Sequence, residues 1–434
     1  MLKRPQATRN KTLPRPARAA SALAALLIFV SSDAGAATLA GWSQYGENGV
    51  VEARLATDEP VCPPLMADGQ SLPMTERAAP SPAFPVRVCV APIPAGVKQI
   101  SAGGRELPVP IVQPRHIVVF GDTGCRMKGA VVQNCNDETA WPFRRVADHA
   151  AEEKPDLMIH VGDYVYRESP CQPGDGRCAG SPWGDNWATW SADFFTPGAK
   201  LLSRTVWLMA RGNHEDCSRA GMGWTTLLGH DPRSPSCNPH ENPLLVDLGG
   251  VKLALLDDNN AVDKEVDPAA AEALQHDIAA AMTAHADWLV THHPFRGISK
   301  PDRRGGKTME GANATLLAAL DGTDEAPLTL MLAGHIHNFQ IANYAGSAAP
   351  QLVVGEGGDD LDKVVPPRLT GLVTGGMTVT QGLSLSGFGY VVLDRVGETQ
   401  DWKITVHTAN GRVLRNCALK ARKFACAPAR PARR

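Results

Sequence analysis

The sequence predicts an α/β fold with a buried sheet, and three observations support this class. Between about Arg115 and Arg395, short apolar runs alternate with helical stretches, as strands and helices do in α/β domains. Six of the apolar runs end in a polar side chain, four of them after a glycine. With 43% hydrophobic and 20% charged residues, the composition is that of an ordinary folded protein. The 434 residues are enough for one large domain with a smaller one, or for two medium domains.

The N-terminal residues have the pattern of a secretory signal peptide. Six basic residues precede an apolar run from Ala19 to Val30 that only Ser21 interrupts, and the small residues Ala34-Gly35-Ala36 follow it. We therefore expect residues 1–36 to be cleaved and the protein to be exported, either periplasmic or secreted. The alternative is an uncleaved membrane anchor, but the apolar run is shorter than the roughly 20 residues that span a bilayer. After cleavage we expect no membrane span.

The rest of the chain divides into three predicted regions. Residues 37–114 are rich in proline and contain short β-like runs, so we expect a small N-terminal β module. Residues 115–395 form the predicted α/β domain. Residues 396–434 contain a final strand pattern, at 402–407, and a basic tail. Within the α/β domain, helices are predicted at residues 140–154, 268–282 and 312–320.

The ten cysteines indicate disulfides, because the chain is predicted to leave the cytosol. They fall into neighbouring pairs along the sequence, so we predict five local bridges. A cysteine metal site is the alternative, but no C-x-x-C pair occurs. The predicted bridges are Cys62–Cys89, Cys125–Cys135, Cys171–Cys178, Cys217–Cys237 and Cys417–Cys426.

Charge and loop composition argue against two kinds of ligand. The formal net charge is −2, so no basic footprint dominates the chain and no nucleic-acid partner is expected. The glycine-rich stretch GEGGDD at residues 355–360 lacks the Lys-Ser/Thr pair of a nucleotide P-loop. We expect this stretch instead to return the backbone to the site formed by the strand ends.

The polar residues that end the apolar runs indicate a metal site. Each one alone would more often be an ordinary polar group, but in α/β sheets the carboxyl ends of the strands meet at one crevice, so the set should converge. We expect the preceding glycines to let the backbone turn sharply as it leaves the sheet. Oxygen and imidazole donors without thiolates favour iron, manganese or zinc. They suit two ions about 3.5 to 4 Å apart that share a carboxylate, for which Asp163 is the natural candidate.

Five ordered motifs resemble those of the purple acid phosphatase branch of the metallophosphoesterase (calcineurin-like phosphoesterase) superfamily. They are GDTG (121–124), GDYVY (162–166), GNHE (212–215), the THHP segment (291–294) and GHIH (334–337). The resemblance covers roughly residues 115–395. It implies a four-layer α/β/β/α sandwich there, two metal ions and a small phosphate ester as substrate. Carried over by position, it implies that the first metal is bound by Asp122, Asp163, Tyr166 and His337, and the second by Asp163, Asn213, His292 and His335.

The resemblance implies further roles near these ligands. His214 would be the general acid. A literal V-x-x-H match ends on His293, but the family's spacing relative to the following proline favours His292 as the ligand. His293 then becomes a substrate contact or a residue behind the ligands. Arg126 and Arg167, just after the first two motifs, could bind phosphate bidentately, although arginines in such loops more often form surface pairs.

Tyr166 replaces a ligand that most metallophosphoesterases have. Most members place a histidine two residues after the first aspartate, but in this chain that position is Gly124. A phenol with a reference pKa near 10 gives up its proton only to a strongly charged ion such as ferric iron. Exchanging neutral imidazole for phenolate also adds one negative charge, which offsets a trivalent metal. We therefore expect ferric iron at the Tyr166 site and divalent iron, zinc or manganese at the second; the alternative is a buried core tyrosine.

Together these features predict an exported phosphatase that hydrolyses phosphomonoesters. The implied mechanism is attack by a metal-bound hydroxide, with His214 protonating the leaving alkoxide. A phosphodiesterase with the same site is the first alternative, and the sequence does not separate the two. The other alternative is a non-catalytic protein that binds phosphate or metal. The presence of all seven ligands and of His214 argues against it.

Overall fold

Two large β-sheets form the centre of the structure, a computed structural model that describes residues 38–231, 236–301 and 306–428. The predicted signal peptide, residues 1–36, lies outside the described residues. The strands, in chain order, are β1 (Thr38–Tyr45), β2 (Val51–Thr57), β3 (Leu65–Ala67), β4 (Gln70–Leu72), β5 (Thr75–Ala78), β6 (Arg87–Pro92), β7 (Ile100–Ala102), β8 (Arg105–Leu107), β9 (His116–Phe120), β10 (Met127–Lys128), β11 (Val131–Val132), β12 (Leu157–His160), β13 (Val206–Met209), β14 (Leu244–Asp247), β15 (Lys252–Leu255), β16 (Trp288–Val290), β17 (Lys300–Pro301), β18 (Met309–Glu310), β19 (Leu330–Ala333), β20 (Phe339–Tyr344), β21 (Gln351–Val354), β22 (Val373–Thr374), β23 (Met377–Leu385), β24 (Gly389–Arg395), β25 (Trp402–Thr408), β26 (Val413–Lys420) and β27 (Lys423–Pro428). The α-helices are α1 (Phe143–Glu152), α2 (Trp187–Trp190), α3 (Thr196–Leu202), α4 (Gly221–Gly223), α5 (Pro268–Thr283) and α6 (Ala314–Leu320).

The first sheet has eleven strands in the order β27-β26-β25-β24-β9-β12-β13-β1-β2-β6-β5. Its centre is parallel, because β9, β12, β13 and β1 pair in parallel register. Antiparallel strands extend it on both sides. Strands from residues 38–92 thus continue the same sheet as the α/β domain, while β3, β4, β7 and β8 form a separate small sheet. The predicted region boundaries stay predictions.

The second sheet has eight strands in the order β14-β15-β16-β19-β21-β20-β23-β22. Side chains of its central strands alternate between two cores, as the two-residue period of a strand requires. In β16, Trp288 and Val290 join the core between the sheets, whereas Leu289 packs with α5 and α6. Trp288 meets Trp402 of the first sheet with ring centroids 5.1 Å apart. Helices α1 and α3 pack against the first sheet, which confirms the predicted four-layer α/β/β/α sandwich.

The main local predictions in the α/β domain are confirmed. All six apolar runs are strands, and the three predicted helices are α1, α5 and α6. Helix α1 begins later than predicted, at Phe143, because Pro142 precedes it and disfavours helical backbone in the residue before it. No helix among the described residues is long and apolar enough to cross a membrane.

All five predicted disulfides are present. Each joins cysteines that are neighbours in the cysteine order, and the described residues contain no free cysteine. The bridges Cys125–Cys135 and Cys217–Cys237 close loops directly after two of the motifs. They restrict the unfolded chain around the predicted site.

Candidate functional site

Five of the predicted site residues lie near the carboxyl ends of parallel strands. In the first sheet Asp122 follows β9, Asp163 follows β12 and Asn213 follows β13, and these strands are neighbours. In the second sheet His292 follows β16 and His335 follows β19, which also pair in parallel. Each sheet therefore presents its polar residues along one edge, and the two edges meet.

Three of these residues have a left-handed backbone. Asp122, Asp163 and His335 have φ values of 57°, 60° and 65°. Non-glycine residues rarely adopt this conformation, which costs roughly 1 to 2 kcal/mol each. The turns direct the side chains back over the strand ends, where the predicted ligands meet.

The glycines before the ligands are required mainly by close packing. A Cβ on Gly212 would lie 2.1 Å from Asp163 Oδ1, and one on Gly334 would lie 2.7 Å from Asp122 Oδ2. Neither glycine has a positive φ, so the sharp-turn explanation expected from the sequence is wrong for these two positions. At Gly162, with φ of 99°, both reasons apply.

Three side chains surround the Tyr166 hydroxyl. It donates a hydrogen bond to Asp163 Oδ2 at 2.6 Å and lies 3.1 Å from both Asp122 Oδ1 and His337 Nε2. The last two atoms are 3.3 Å apart. All four residues are buried. The structure thus brings together the four residues predicted for the first metal.

A second group forms around Asn213. Its Oδ1 lies 3.0 Å from His292 Nε2 and 3.3 Å from His335 Nδ1. His292 Nε2 is also 3.3 Å from Asp163 Oδ2. Donor atoms of Asp163, His292 and His335 all lie within 4.8 Å of one another. Asp163 belongs to both groups, which is the position that a shared carboxylate needs.

Hydrogen bonds behind the histidines direct their inner nitrogens at the two groups. His292 Nδ1 donates to a backbone carbonyl at 2.8 Å, and His337 Nδ1 donates to another at 2.6 Å. Because the outer nitrogen then carries the proton, the lone pair of Nε2 is free to bind a cation. His335 is turned the other way: its Nδ1 faces the group and its Nε2 lies 3.2 Å from Asp263 Oδ2.

The carboxylates dominate the electrostatics of the site. Burial lowers the pKa of His292, but the charge and hydrogen bond of Asp163, together with the charges of Asp122 and Asp258, outweigh it and raise the pKa to about 10. Burial also lowers the pKa of His337, and Asp122 and Asp359 together raise it to about 10. In the absence of a cation, these two imidazoles therefore take up protons that balance the carboxylates, whereas burial and the charge of His293 lower the pKa of His335. This concentration of negative charge fits a pair of metal ions, which would displace those protons.

His214 lies at the rim of the first group. Its ring contacts that of Tyr166, with centroids 3.9 Å apart, and the backbone N–H of His214 donates to Asp163 Oδ1 at 2.9 Å. Its Nδ1 is 3.0 Å from Glu168 Oε1, and its Nε2 is 4.0 Å from Asp163 Oδ2. Burial raises the pKa of Glu168, but His214 and Lys128 lower it to about 2. Glu168 is therefore an anion that can orient the imidazole.

Two cavities adjoin the site. One, of about 470 Å³, opens over both groups and has His214 in its wall. The other, of about 600 Å³, lies beside it. His335 and Asp362 line both, so the two cavities meet next to the second group.

The two predicted arginine contacts lie in different settings. Arg126 lines the cavity over the site, with its guanidinium 5.0 Å from the centroid of the Tyr166 ring, and forms an ion pair with Asp359. The GEGGDD stretch, which contains Asp359, returns to the site as expected. Arg167 is buried in an ion pair with Asp193 and lines neither cavity. A buried carboxylate such as Asp193 needs this partner, which directs Arg167 away from the cavity.

His293 lies behind the ligands. Its Nδ1 is 3.0 Å from Asp258 Oδ2, and its ring centroid is 4.3 Å from that of His335. Apart from the two groups above, Asp263, His293 and His335 have donor atoms that all lie within 4.8 Å of one another. Asp258 also accepts the N–H of His292 at 2.7 Å.

Sequence reasoning missed the carboxylates that hold the ligand loops, and Glu215 is the clearest case. Its Oε1 accepts the N–H groups of Tyr164 and Val165 at 2.8 and 3.1 Å. Its Oε2 accepts those of Asp163 and Gly212 at 3.1 and 3.2 Å. The signal was the last residue of GNHE, an acid inside an otherwise buried motif. Glu168 and Asp263 stand in no such motif, whereas Asp258 follows one of the six apolar runs.

The site combines carboxylates, a phenol, an amide and imidazoles where the edges of the two sheets meet. This arrangement is that of a metal-dependent phosphoesterase. The family comparison agrees: residues 115–339, just over half of the chain, match the model of the calcineurin-like phosphoesterases. The chain belongs to this family. A comparison with curated protein sequences gives no match.

Two solved structures share the fold. The purple acid phosphatase PPD1 from yellow lupin (Lupinus luteus) seeds is 15% identical, with a TM-score of 0.54 over 87% of this chain and 73% of that chain. A structure of PhoD is 10% identical, with a TM-score of 0.55 over 90% of this chain and 92% of that chain. At these identities the similarity concerns the fold alone.

Proposed function

We propose that the protein is an exported dinuclear-metal phosphatase that hydrolyses phosphomonoesters. The observation that carries this proposal is the convergence of seven side chains, from two sheets, into two groups that share Asp163. Family membership supports ester hydrolysis at phosphorus. The preference for monoesters, the metals and the site of action are the proposed parts.

The two groups fit two cations. The short distances among their oxygen and nitrogen donors and the outer hydrogen bonds of the histidines support this fit. When bound, the ions would bind phosphate oxygens and supply a hydroxide nucleophile near neutral pH. The first ion would be held by Asp122, Asp163, Tyr166 and His337, and the second by Asp163, Asn213, His292 and His335.

Ferric iron is the proposed ion at the Tyr166 position, and divalent iron, zinc or manganese at the other. The Tyr166 oxygen lies beside two carboxylates, so a phenolate there would need a highly charged cation. We expect a visible tyrosinate absorption band in the purified protein, and its loss in Tyr166→Phe. A colourless protein with two zinc ions and full activity would contradict the iron but leave hydrolysis intact.

His214 is the proposed general acid. The anionic Glu168 lies 3.0 Å from Nδ1 and can orient the ring, which leaves Nε2 as the nitrogen that would give a proton to the leaving alkoxide. Arg126 is the proposed phosphate contact, because it lines the cavity. For Arg167 and His293 we propose supporting roles, since Arg167 pairs with Asp193 and His293 with Asp258.

A phosphodiesterase is the second candidate, and one observation favours it. The 600 Å³ cavity meets the site at His335, on a side that His214 does not line. In a diester, phosphorus carries a second ester group that stays bound after the leaving group departs. That group needs space away from the acid, and this cavity offers it.

The test is a paired assay with 4-nitrophenyl phosphate and bis(4-nitrophenyl) phosphate. A higher kcat/KM for the monoester supports the proposal, and a large preference for the diester contradicts it. His214→Ala should lower kcat at least 100-fold for a substrate whose leaving group is a basic alkoxide, because that group needs a proton to depart. His407→Ala is the matched control, because His407 is similarly buried on β25. Unchanged turnover per bound metal in His214→Ala would refute its role as acid.

Export is supported by the N-terminal pattern and by the five disulfides, which persist outside the reducing cytosol. The test is N-terminal sequencing of the protein recovered outside the cytoplasm. We expect the mature chain to begin after residue 36. An intact first residue would contradict cleavage.

A further inference from the structure

We infer that Asp263 is a positioning residue that fixes His335 for the second metal and makes its imidazole a stronger ligand. The inference rests on the proposed function, because it concerns one ligand of the proposed metal pair. Asp263 lies in the loop between β15 and α5, outside all five motifs. The family motifs therefore give no reason to single it out.

The three histidines differ in what holds their outer nitrogen. His292 and His337 each donate to a neutral backbone carbonyl. His337 Nδ1 also lies 3.4 Å from Asp359 Oδ2, but its closer partner is the carbonyl at 2.6 Å. For His335 the outer partner is a side-chain carboxylate, with 3.2 Å between its Nε2 and Asp263 Oδ2. A carboxylate behind a metal-binding imidazole fixes the tautomer and raises the basicity of the inner nitrogen. For His335 this inner nitrogen is Nδ1, the one that faces Asn213.

Other contacts hold Asp263 in this position. Its Oδ1 accepts a hydrogen bond from Asn313 Nδ2 at 3.0 Å. Asn313 is fully buried and also caps α6, since its Oδ1 accepts the N–H of Leu316 at 2.9 Å. The Asp263 carbonyl accepts the N–H of Ala314 at 2.9 Å. The start of α6 therefore fixes the position of the Asp263 carboxylate, and this carboxylate fixes the orientation of the His335 imidazole.

An amide at this position cannot make both side-chain contacts. Asp263 accepts at both oxygens, whereas an asparagine has one acceptor and one donor group. If the asparagine oxygen faces His335, its NH₂ opposes the NH₂ of Asn313. Asp263→Asn should therefore release His335 while keeping the size of the side chain.

The experiment titrates Co²⁺ into protein from which the more weakly held ion has been removed, followed by calorimetry and visible absorption. We expect Asp263→Asn to lower the affinity for the second ion about 10- to 100-fold. The tyrosinate band of the first site should not change. Glu310→Gln is the matched control, because Glu310 lines the same cavity and pairs with Lys300. Glu310→Gln removes the same charge without contacting a metal ligand. The affinity of this variant for the second ion should stay within twofold of the wild-type value.

Three results would overturn the inference. Asp263→Asn with wild-type affinity would show that the carboxylate does not act through His335. Loss of both ions to the same extent would show a general structural role. A third equivalent of Co²⁺, absent in Asp263→Asn, would make Asp263 a ligand in the group with His293. If the wild type itself binds fewer than two ions, the proposed metal centre fails as well, so the two failures are distinguishable.

Discussion

Replacing Glu215 with glutamine tests how the ligand loops are held. The carboxylate is fully buried and accepts four backbone N–H groups, two at each oxygen. Glutamine has the same shape, but its NH₂ must face two of these donors. Glu215→Gln therefore removes two hydrogen bonds without creating a cavity. It changes little except the number of acceptors.

The expected loss of stability follows from the two orphaned donors. A buried donor without a partner costs about 1 to 3 kcal/mol, so two cost about 2 to 6 kcal/mol. Burial and then the charge of Asp163 raise the pKa of Glu215 to about 8, so the substitution also relieves an unfavourable carboxylate, which offsets part of the loss. We expect a net decrease of at least about 2 kcal/mol in the free energy of unfolding, a large fraction of the 5 to 15 kcal/mol typical of a domain.

The assay is urea denaturation of the metal-free protein, with Glu356→Gln as the control. Glu356 is equally buried, but its carboxyl oxygens have no hydrogen-bond partner among the described residues. Burial raises the pKa of Glu356 well above its usual value, so the group is already neutral and an amide should be tolerated. The explanation of how the loops are held is wrong if the free energy of unfolding of Glu215→Gln lies within about 0.5 kcal/mol of the wild-type value. It is also wrong if Glu215→Gln loses no more stability than Glu356→Gln.

Three further outcomes are expected. Gly212→Ala should reduce the bound metal by at least one ion per chain, since its Cβ would lie 2.1 Å from Asp163 Oδ1; metal analysis that finds two ions would contradict this. Arg167→Ala should cost about 3 to 5 kcal/mol in unfolding free energy by orphaning a buried carboxylate, while KM stays within about twofold. A raised KM in a stable variant would instead make Arg167 a substrate contact. The hydrogen bond from His240 to Asp277 raises the pKa of His240, so the pair stabilises the protein below the unfolded pKa near 6.5 and loses this effect as pH rises through the folded pKa. His240→Ala should thus cost up to about 1 kcal/mol at pH 5.5 and less at pH 9, and an equal cost at both would contradict the coupling.

Local patterns predicted the α/β domain well, because its central strands are buried on both faces. β19, for example, is four buried apolar residues that end at a glycine and a ligand. The pairing of β1 with β13 could not be predicted in the same way. It joins Gln44 to Trp207, and nothing in the local sequence of either strand specifies so distant a partner.

The ligands themselves were predictable because each lies in a short motif at a strand end. Asp263 was not, since it lies in a loop and its role depends on a contact with His335 that is 72 residues away in sequence. Arg167 was singled out from its sequence position, but the structure gives it a different partner. Its position after a motif suggested phosphate, but the buried Asp193 competes for the same guanidinium and the structure favours that pair.

The metal-free protein holds several unfavourable features at one place. Asp122, Asp163 and His335 have strained backbones, and the buried carboxylates lie close enough to raise the pKa of neighbouring histidines. The supporting acids add more negative charge behind the ligands. Both oxygens of Glu215 and of Asp258 accept backbone N–H groups. Asp122 and Asp163 each accept a backbone N–H at one oxygen only. The other oxygen of each faces the Tyr166 hydroxyl and a histidine. The supporting acids are therefore compensated by backbone donors, whereas Asp122 and Asp163 depend on His292 and His337, whose protons bound cations would displace.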